Sequence, residues 1–294
     1  MTQPLFGEVA PAPRWVDIDW GPFIHNRLVN ERRIRYVDYG SGPALVLLHG
    51  MGASWQWWLE NIPTLSRYHR VIAVDLPGFG NSEPLPPPAE MRAHAHTISD
   101  LLRQLGVRSA TVAGHSMGGL VALEMATANR ELVRNLVLVG AGGVPMTERH
   151  LRIVLVMLRF FCVILRLRFV RRVLATKPLV RRVMLRAAFR DPDVMSAELA
   201  AQTMPLLNAP GFIDAVAASG RAVRACVPEK ICCPVLLVWG EHDRLSPVHC
   251  ARDMHERLPD SELVVLGSAG HTVPIERPEQ FNDAVLAFTA TRPA

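Results

Sequence analysis

Cysteine is scarce, with five in 294 residues: Cys162, Cys226, Cys232, Cys233 and Cys250. The number is odd and none is spaced with histidine like a metal ligand set, which argues against a disulfide scaffold and a cysteine-built metal centre. The vicinal pair Cys232-Cys233 reads as buried and structural, and the pattern suits a reducing compartment. The first residues lack a charged stretch followed by an apolar one, so no signal peptide is expected and the location is read as cytoplasmic. No internal repeat is visible. Acidic residues are missing from one long stretch: Arg149 to Arg190 holds 12 basic side chains and no Asp or Glu. The rest of the chain, with 20 of the 32 basic residues against 27 acidic ones, is net negative although the whole is +5. No recognised nucleic-acid motif accompanies the basic charge, so no nucleic-acid partner is expected.

With 49% hydrophobic residues the chain can bury the core of one large domain. Short apolar runs read as strands at Arg33–Asp38, Ala44–His49, Arg70–Asp75, Ala110–Gly114, Leu136–Gly140, Val235–Gly240 and Glu262–Leu266. Helical patterns fall between them, near Met91–Leu105 and Leu120–Ala128 and at the end, Glu279–Thr289. This alternation predicts an α/β fold with a mostly parallel sheet and helices on both faces. Pro84 to Pro88 reads as a rigid exposed loop before the Met91 helix.

Gly114-His-Ser-Met-Gly-Gly119 carries the most information. A serine with glycine two residues to either side, on a strand-to-helix turn, forms a nucleophile elbow. Gly114 and Gly118 let backbones approach, and the helix starting at Met117 aims its N–H groups and positive dipole end beside Ser116. A serine hydroxyl needs a base, and the base needs an acid to orient it. Both follow in order. Asp243 lies just past the Pro234–Gly240 run, with Ser246-Pro247 read as cap and first residue of the next helix; Glu241 is the weaker alternative acid. His271 lies in the loop after the Glu262–Leu266 strand. Of the other histidines, His94, His96, His249 and His255 read as surface or helix positions, His25 and His69 as loop residues, His150 as the start of a basic segment and His242 as a neighbour of the acid. After the third strand, Ala44–Leu48, comes His49-Gly-Met-Gly52, where Gly50 permits a sharp turn. The backbone N–H groups of Met51 and Met117 are the candidate oxyanion donors, and their side chains could line an acyl site. Trp55, Trp57 and Trp58 supply either a pocket wall or packing.

These pieces resemble the α/β-hydrolase family. The matching stretches are His49-Gly-Met-Gly52, Asp75-Leu-Pro-Gly-Phe-Gly-Asn-Ser82, Gly114–Gly119, Trp239-Gly-Glu-His-Asp243 and Gly270-His-Thr-Val-Pro-Ile-Glu-Arg-Pro278, in the family's order over residues 34–289. The resemblance implies a Ser116-His271-Asp243 triad with no cofactor and no metal. It says less about substrate, because the family includes esterases, lipases, thioesterases, carbon–carbon bond hydrolases, perhydrolases and acyltransferases. Epoxide hydrolases and haloalkane dehalogenases place an Asp where this chain has Ser116. The elbow also resembles the carbon–carbon hydrolases, many of which carry Trp after the histidine; here that place is Thr272. A scaffold that binds ligand without turnover is the alternative from another class.

The chain departs most in residues 144–231, which read as a helical cap inserted into a core of residues 1–143 and 232–294. Leu151–Val170 is apolar apart from Arg152, Arg159, Arg166 and Arg168. Four arginines, each costing about 2.5–3.5 kcal/mol at the bilayer centre, argue against a span. Pro178 ends that helix. A second helix is expected from Leu179, with Arg182, Arg186 and Arg190 at i, i+4, i+8, ended by Asp191-Pro192, and further helices at Asp193–Met204 and Gly211–Val223. The arginines could be solvated, rest on anionic lipid, or meet an anionic substrate. The expected activity is cleavage of a carboxylic ester with an apolar, even lipid-like acyl part, with peripheral membrane contact through the cap.

Overall fold

The computed structural model describes residues 12–141, 177–203, 212–225 and 227–292. Its strands are β1 (Ile24–Val29), β2 (Arg32–Tyr39), β3 (Ala44–Leu48), β4 (Arg70–Val74), β5 (Ala110–His115), β6 (Val133–Val139), β7 (Val235–Gly240) and β8 (Ser261–Leu266). Its α-helices are α1 (Ile62–Leu65), α2 (Met91–Gln104), α3 (Met117–Ala128), α4 (Pro178–Leu185), α5 (Ala197–Thr203), α6 (Phe212–Ala225), α7 (Val248–Arg257), α8 (Val273–Glu276) and α9 (Pro278–Thr291). One sheet runs β1-β2-β4-β3-β5-β6-β7-β8. β1 and β2 pair antiparallel, β2 joins β4 antiparallel, and every pairing from β4 through β8 is parallel.

Strand periodicity divides the core. On β3, Val46 and Leu48 face one layer while Leu45 and Leu47 face the other; on β7, Val235, Leu237 and Trp239 oppose Leu236 and Val238. Both faces are covered, which is why these strands read as unbroken apolar runs. Residues of α2 and α3 belong to the first layer, and those of α1 and α9 to the second. On α2, Met91, Ala95, Ile98 and Leu102 are buried and Arg92, His96 and Arg103 are exposed, the stripe of an amphipathic helix. β3 has β4 on one side and β5 on the other, so the strand order reverses there. α/β sheets put their sites in the crevice at the carboxyl ends of strands at such a reversal.

Several expectations change. β1 is an additional strand, with His25 in it rather than in a loop; only Val29 is buried, so the apolar signal of a strand is missing. Asn30 and Glu31, both at positive φ (48° and 63°), make the two-residue turn that returns the chain into β2. α4 stops at Leu185, so Arg190 is not on its helix. The chain turns there to bury Phe189, 2% exposed, in the second core layer. The Asp193–Met204 helix is instead a short 3-10 turn, Pro192–Val194, then α5. Cys232 is exposed, because it precedes the strand, and Cys232, Cys233 and Cys250 are free thiols. Cys162, Cys226, His150 and the Leu151–Val170 run lie outside the described residues. Among the described residues no helix is long and apolar enough to cross a membrane.

Candidate active site

β5 ends at His115 and α3 begins at Met117, leaving Ser116 alone at the corner. Its φ of 53° and ψ of −116° are a strained conformation for a residue with a Cβ. The surroundings enforce it. Ser116 N–H donates to the Val139 carbonyl at 2.8 Å, and its own carbonyl accepts from Gly119 N–H at 3.0 Å. A Cβ at Gly114 would run into the Gly118 carbonyl, and one at Gly118 into the carbonyl of Leu48. Both glycines therefore serve close backbone approach, as their positions imply.

The loop after β3 lies against this corner. A Cβ on Gly50 would stand 2.8 Å from His115 Nδ1 and 3.2 Å from the Ser116 Cβ. Gly50 is thus required by proximity rather than by the sharp turn expected of it; the residue at positive φ is Gly52, at 74°. His49 fixes the loop from below: Nδ1 lies 2.7 Å from the Gly50 carbonyl, and Nε2 accepts from Leu76 N–H at 3.0 Å. Burial lowers its pKa to about 4, so the ring is neutral with its proton on Nδ1. Asp75 binds the next turn, accepting from Trp55 N–H at 2.8 Å and Asn81 N–H at 2.9 Å; burial outweighs these bonds and raises its pKa to about 6. Met51 is half-buried and Met117 is 1% exposed, with its side chain in the first core layer. The Met117 side chain packs rather than lining a substrate site, which leaves its backbone N–H, first in α3, without an acceptor inside the helix.

Asp243 and His271 come together beyond the carboxyl ends of β7 and β8. His271 Nδ1 lies 2.8 Å from Asp243 Oδ2, and both side chains are buried. Asp243 Oδ1 accepts from the N–H groups of Leu245 (2.9 Å) and Ser246 (2.7 Å), which holds the carboxylate in place. Ser246 acts through its backbone; its hydroxyl has no partner among the described residues, and α7 starts at Val248. Glu241 is exposed, with its carboxylate 3.7 Å from His242 Nε2. Gly140, at φ 52°, leaves room for the pair: a Cβ there would sit 3.0 Å from His271 Nδ1.

Three further residues support His271, and the sequence reading gave none of them a role. His115 Nε2 donates to the His271 carbonyl at 2.9 Å, with the two rings 4.8 Å apart. Burial keeps His115 neutral, well below the usual histidine range. The elbow and the histidine loop are thereby joined through the residue that precedes Ser116. Glu276, 3% exposed, accepts four hydrogen bonds: from Arg190 N–H (2.7 Å) and Asp191 N–H (3.1 Å) on Oε1, and from Gly270 N–H (2.8 Å) and the Thr272 hydroxyl (3.0 Å) on Oε2. His271 N–H itself donates to the Ala188 carbonyl at 2.7 Å. The segment after α4 is therefore fastened to the histidine loop at three backbone groups. Trp57 stacks on His115 at 6.0 Å and meets Phe189 edge-on at 6.4 Å, while Trp55 and Trp58 are core residues. Among the described residues no group of three or more His, Cys, Asp or Glu is placed to hold a metal.

The family model for the alpha/beta hydrolase fold matches residues 43–278, and the chain belongs to that family. Among curated relatives, the chain is 31% identical over 282 residues to the dihydrolipoyllysine-residue acetyltransferase component of an acetoin cleaving system from Pseudomonas putida, covering 91% of this chain and 70% of that one. It is 28% identical to a 2-hydroxy-6-oxononadienedioate/2-hydroxy-6-oxononatrienedioate hydrolase from Pseudomonas sp, covering 86% and 90%. Among solved structures, a thermophilic esterase from Thermogutta terrifontis superposes with a TM-score of 0.72 at 26% identity, covering 92% of this chain and 99% of that one.

Proposed function

We propose that the protein is a serine hydrolase that cleaves carboxylic esters with an apolar acyl part. The observation that carries this reading is the buried 2.8 Å contact between His271 and Asp243, joined through His115 to the strained corner bearing Ser116. In the proposed cycle, Asp243 holds the proton on His271 Nδ1, leaving Nε2 free to take the Ser116 proton as Oγ attacks the ester carbonyl. The N–H groups of Met51 and Met117 receive the oxyanion, worth about 3–4 kcal/mol of barrier per donor. His271 then protonates the leaving alcohol, and water attacks the acyl-enzyme by the same route in reverse. No metal or cofactor takes part. Residues 144–231 act as a cap over the acyl pocket, and its basic face rests on anionic membrane.

Hydrolysis of aryl esters from two to sixteen acyl carbons tests this. Ser116→Ala should lower kcat by at least about 10⁴-fold, and the preferred chain length reports the depth of the pocket. No Ser116-dependent turnover of any ester refutes the reading. The second reading, cleavage of a carbon–carbon bond next to a ketone, is favoured by the relative from Pseudomonas sp named for that substrate. Turnover of a vinylogous diketone acid in place of any ester would select it.

A further inference from the structure

The segment that follows α4 carries a second feature outside the proposed triad. Leu179, Arg182, Val183 and Arg186 recur at i, i+3, i+4 and i+7, one stripe of a helical surface, and all four are exposed. Leu179 is 70% and Val183 65% exposed, large values for apolar side chains on a helix. At the foot of the stripe lies a cavity of about 430 Å³ lined by Arg182, Arg186, Arg190, Arg244, Asp191 and Asp193. Arg182 is spent on Asp193, with Nε and Nη2 donating to the two carboxylate oxygens at 3.0 and 2.6 Å. Asp191 caps the turn, accepting from Asp193 N–H at 3.1 Å. Arg244 gives one donor to the Arg186 carbonyl at 3.1 Å. The guanidinium groups of Arg186 and Arg190 meet no carboxylate among the described residues. The sequence on their N-terminal side supplies none, since Arg149 to Arg190 is free of acid.

We propose that this stripe and cavity form a phospholipid-binding site. The headgroup phosphate sits between Arg186, Arg190 and Arg244, and Leu179 and Val183 enter the acyl layer. Guanidinium forks fit a phosphate through paired N–H donors, and each unneutralised arginine near the lipid surface gains from anionic headgroups. The two apolar side chains on the same stripe are what a surface for a free anion would not need. The site deepens the membrane contact proposed above and does not depend on the triad, although it is built beside it: Arg244 follows Asp243, and Arg190 N–H bonds to Glu276.

The test uses full-length Ser116→Ala protein, so that no ester is consumed, in vesicle sedimentation. One probe is pure phosphatidylcholine; the other contains about one third phosphatidylglycerol. Arg186→Gln/Arg190→Gln and Leu179→Ser/Val183→Ser change only exposed side chains, and circular dichroism confirms that both variants fold. Binding to the phosphatidylglycerol vesicles should exceed binding to phosphatidylcholine at least tenfold. Each double variant should lose at least tenfold of it. Retained binding in the arginine variant overturns the proposal and moves the contact elsewhere. Loss in the arginine variant with none in the apolar variant, together with competition by millimolar inorganic phosphate, also overturns it and leaves a site for free phosphate. Absent vesicle binding in a protein whose Ser116 form hydrolyses esters sinks this proposal and the membrane contact but leaves the esterase reading; vesicle binding without ester turnover sinks the esterase reading alone.

Discussion

Glu276→Gln is the most informative substitution for the histidine loop. The carboxylate is buried and accepts four hydrogen bonds, three from backbone N–H groups that have no other acceptor among the described residues. An amide keeps one oxygen and turns the other acceptor into two donors. The new NH2 group will face Thr272, whose hydroxyl can rotate to accept, and not Arg190 and Asp191, whose N–H groups cannot. Gly270 N–H, next to His271, then loses its partner in a buried place. One orphaned donor costs about 1–3 kcal/mol, and exchange of charged for neutral bonds at the other oxygen adds about 1–2 kcal/mol. The expected loss is about 3 kcal/mol, or a fall in Tm of about 6–12 °C. Movement of His271 by an ångström would cost about 10²-fold in rate, so kcat for an aryl ester should fall well below wild type at temperatures where both proteins are folded, with KM little changed. Glu276→Asp keeps the charge and should retain more activity than the glutamine variant. A Tm change under about 2 °C, or a folded variant whose kcat is within twofold of wild type, would refute the reasoning.

Gly140→Ala places a methyl 3.0 Å from His271 Nδ1 and 3.2 Å from Asp243 Oδ2, at φ 52°; kcat should fall at least about tenfold as the base is displaced, and unchanged kinetics would show that the pair has slack. Acid stability should be governed by buried neutral histidines. His49 and His94 sit at about 4 and His115 is held well below the usual histidine range, each chiefly through burial. Between about pH 6.5 and 4 the unfolded chain binds protons there that the folded protein does not, so stability falls as pH drops, by about 3 kcal/mol for each of the His49 and His94 rings when fully developed. Asp75, raised to about 6, binds its proton in the folded protein first and offsets about one ring. Urea unfolding at pH 7 and pH 4.5 measures the slope. His94→Leu, at a ring with neither nitrogen paired among the described residues, should flatten it without loss of stability at pH 7; an unchanged slope would remove His94 from the account.

The parts legible in the sequence are those whose signal is local. The parallel strands are buried on both faces, so their apolar runs stand out; β1, exposed along most of its length, does not. Ser116, Asp243 and His271 each sit one to five residues past such a strand, so strand recognition also placed the candidate triad at one sheet edge. Gly114 and Gly118 were readable because a motif fixes their neighbours. Gly50 was readable as necessary but for the wrong reason, since its constraint comes from His115 and Ser116, far along the chain. The arginine period continued α4 to Arg190, but burial of Phe189 ends the helix first. Tertiary packing overrides a helical period of that strength, because one buried aromatic ring outweighs a turn of solvated arginines. Glu276 lay in plain view inside a matching stretch. Its role depends on Arg190 and Asp191, 86 and 85 residues earlier, a separation no local pattern records.

That long-range contact changes what the β6–β7 insertion does. The core alone supplies the corner that bears Ser116, the candidate nucleophile, after β5, and Asp243, the candidate acid, after β7. The candidate base is different, because the chain around it is held by both parts of the protein. Asp243 and His115 grip it from the core, while Ala188, and Arg190 and Asp191 through Glu276, grip it from the insertion. Backbone groups of this segment make these contacts, so its exposed side chains, Arg186, Ala187, Arg190 and Asp191, can vary without releasing the histidine, whereas buried Phe189 cannot. A shift of the segment as a whole cannot, because the same four hydrogen bonds of Glu276 would carry it into the 270–272 loop. The position of His271, the candidate base, is thus mechanically linked to the segment 188–191 through a buried carboxylate.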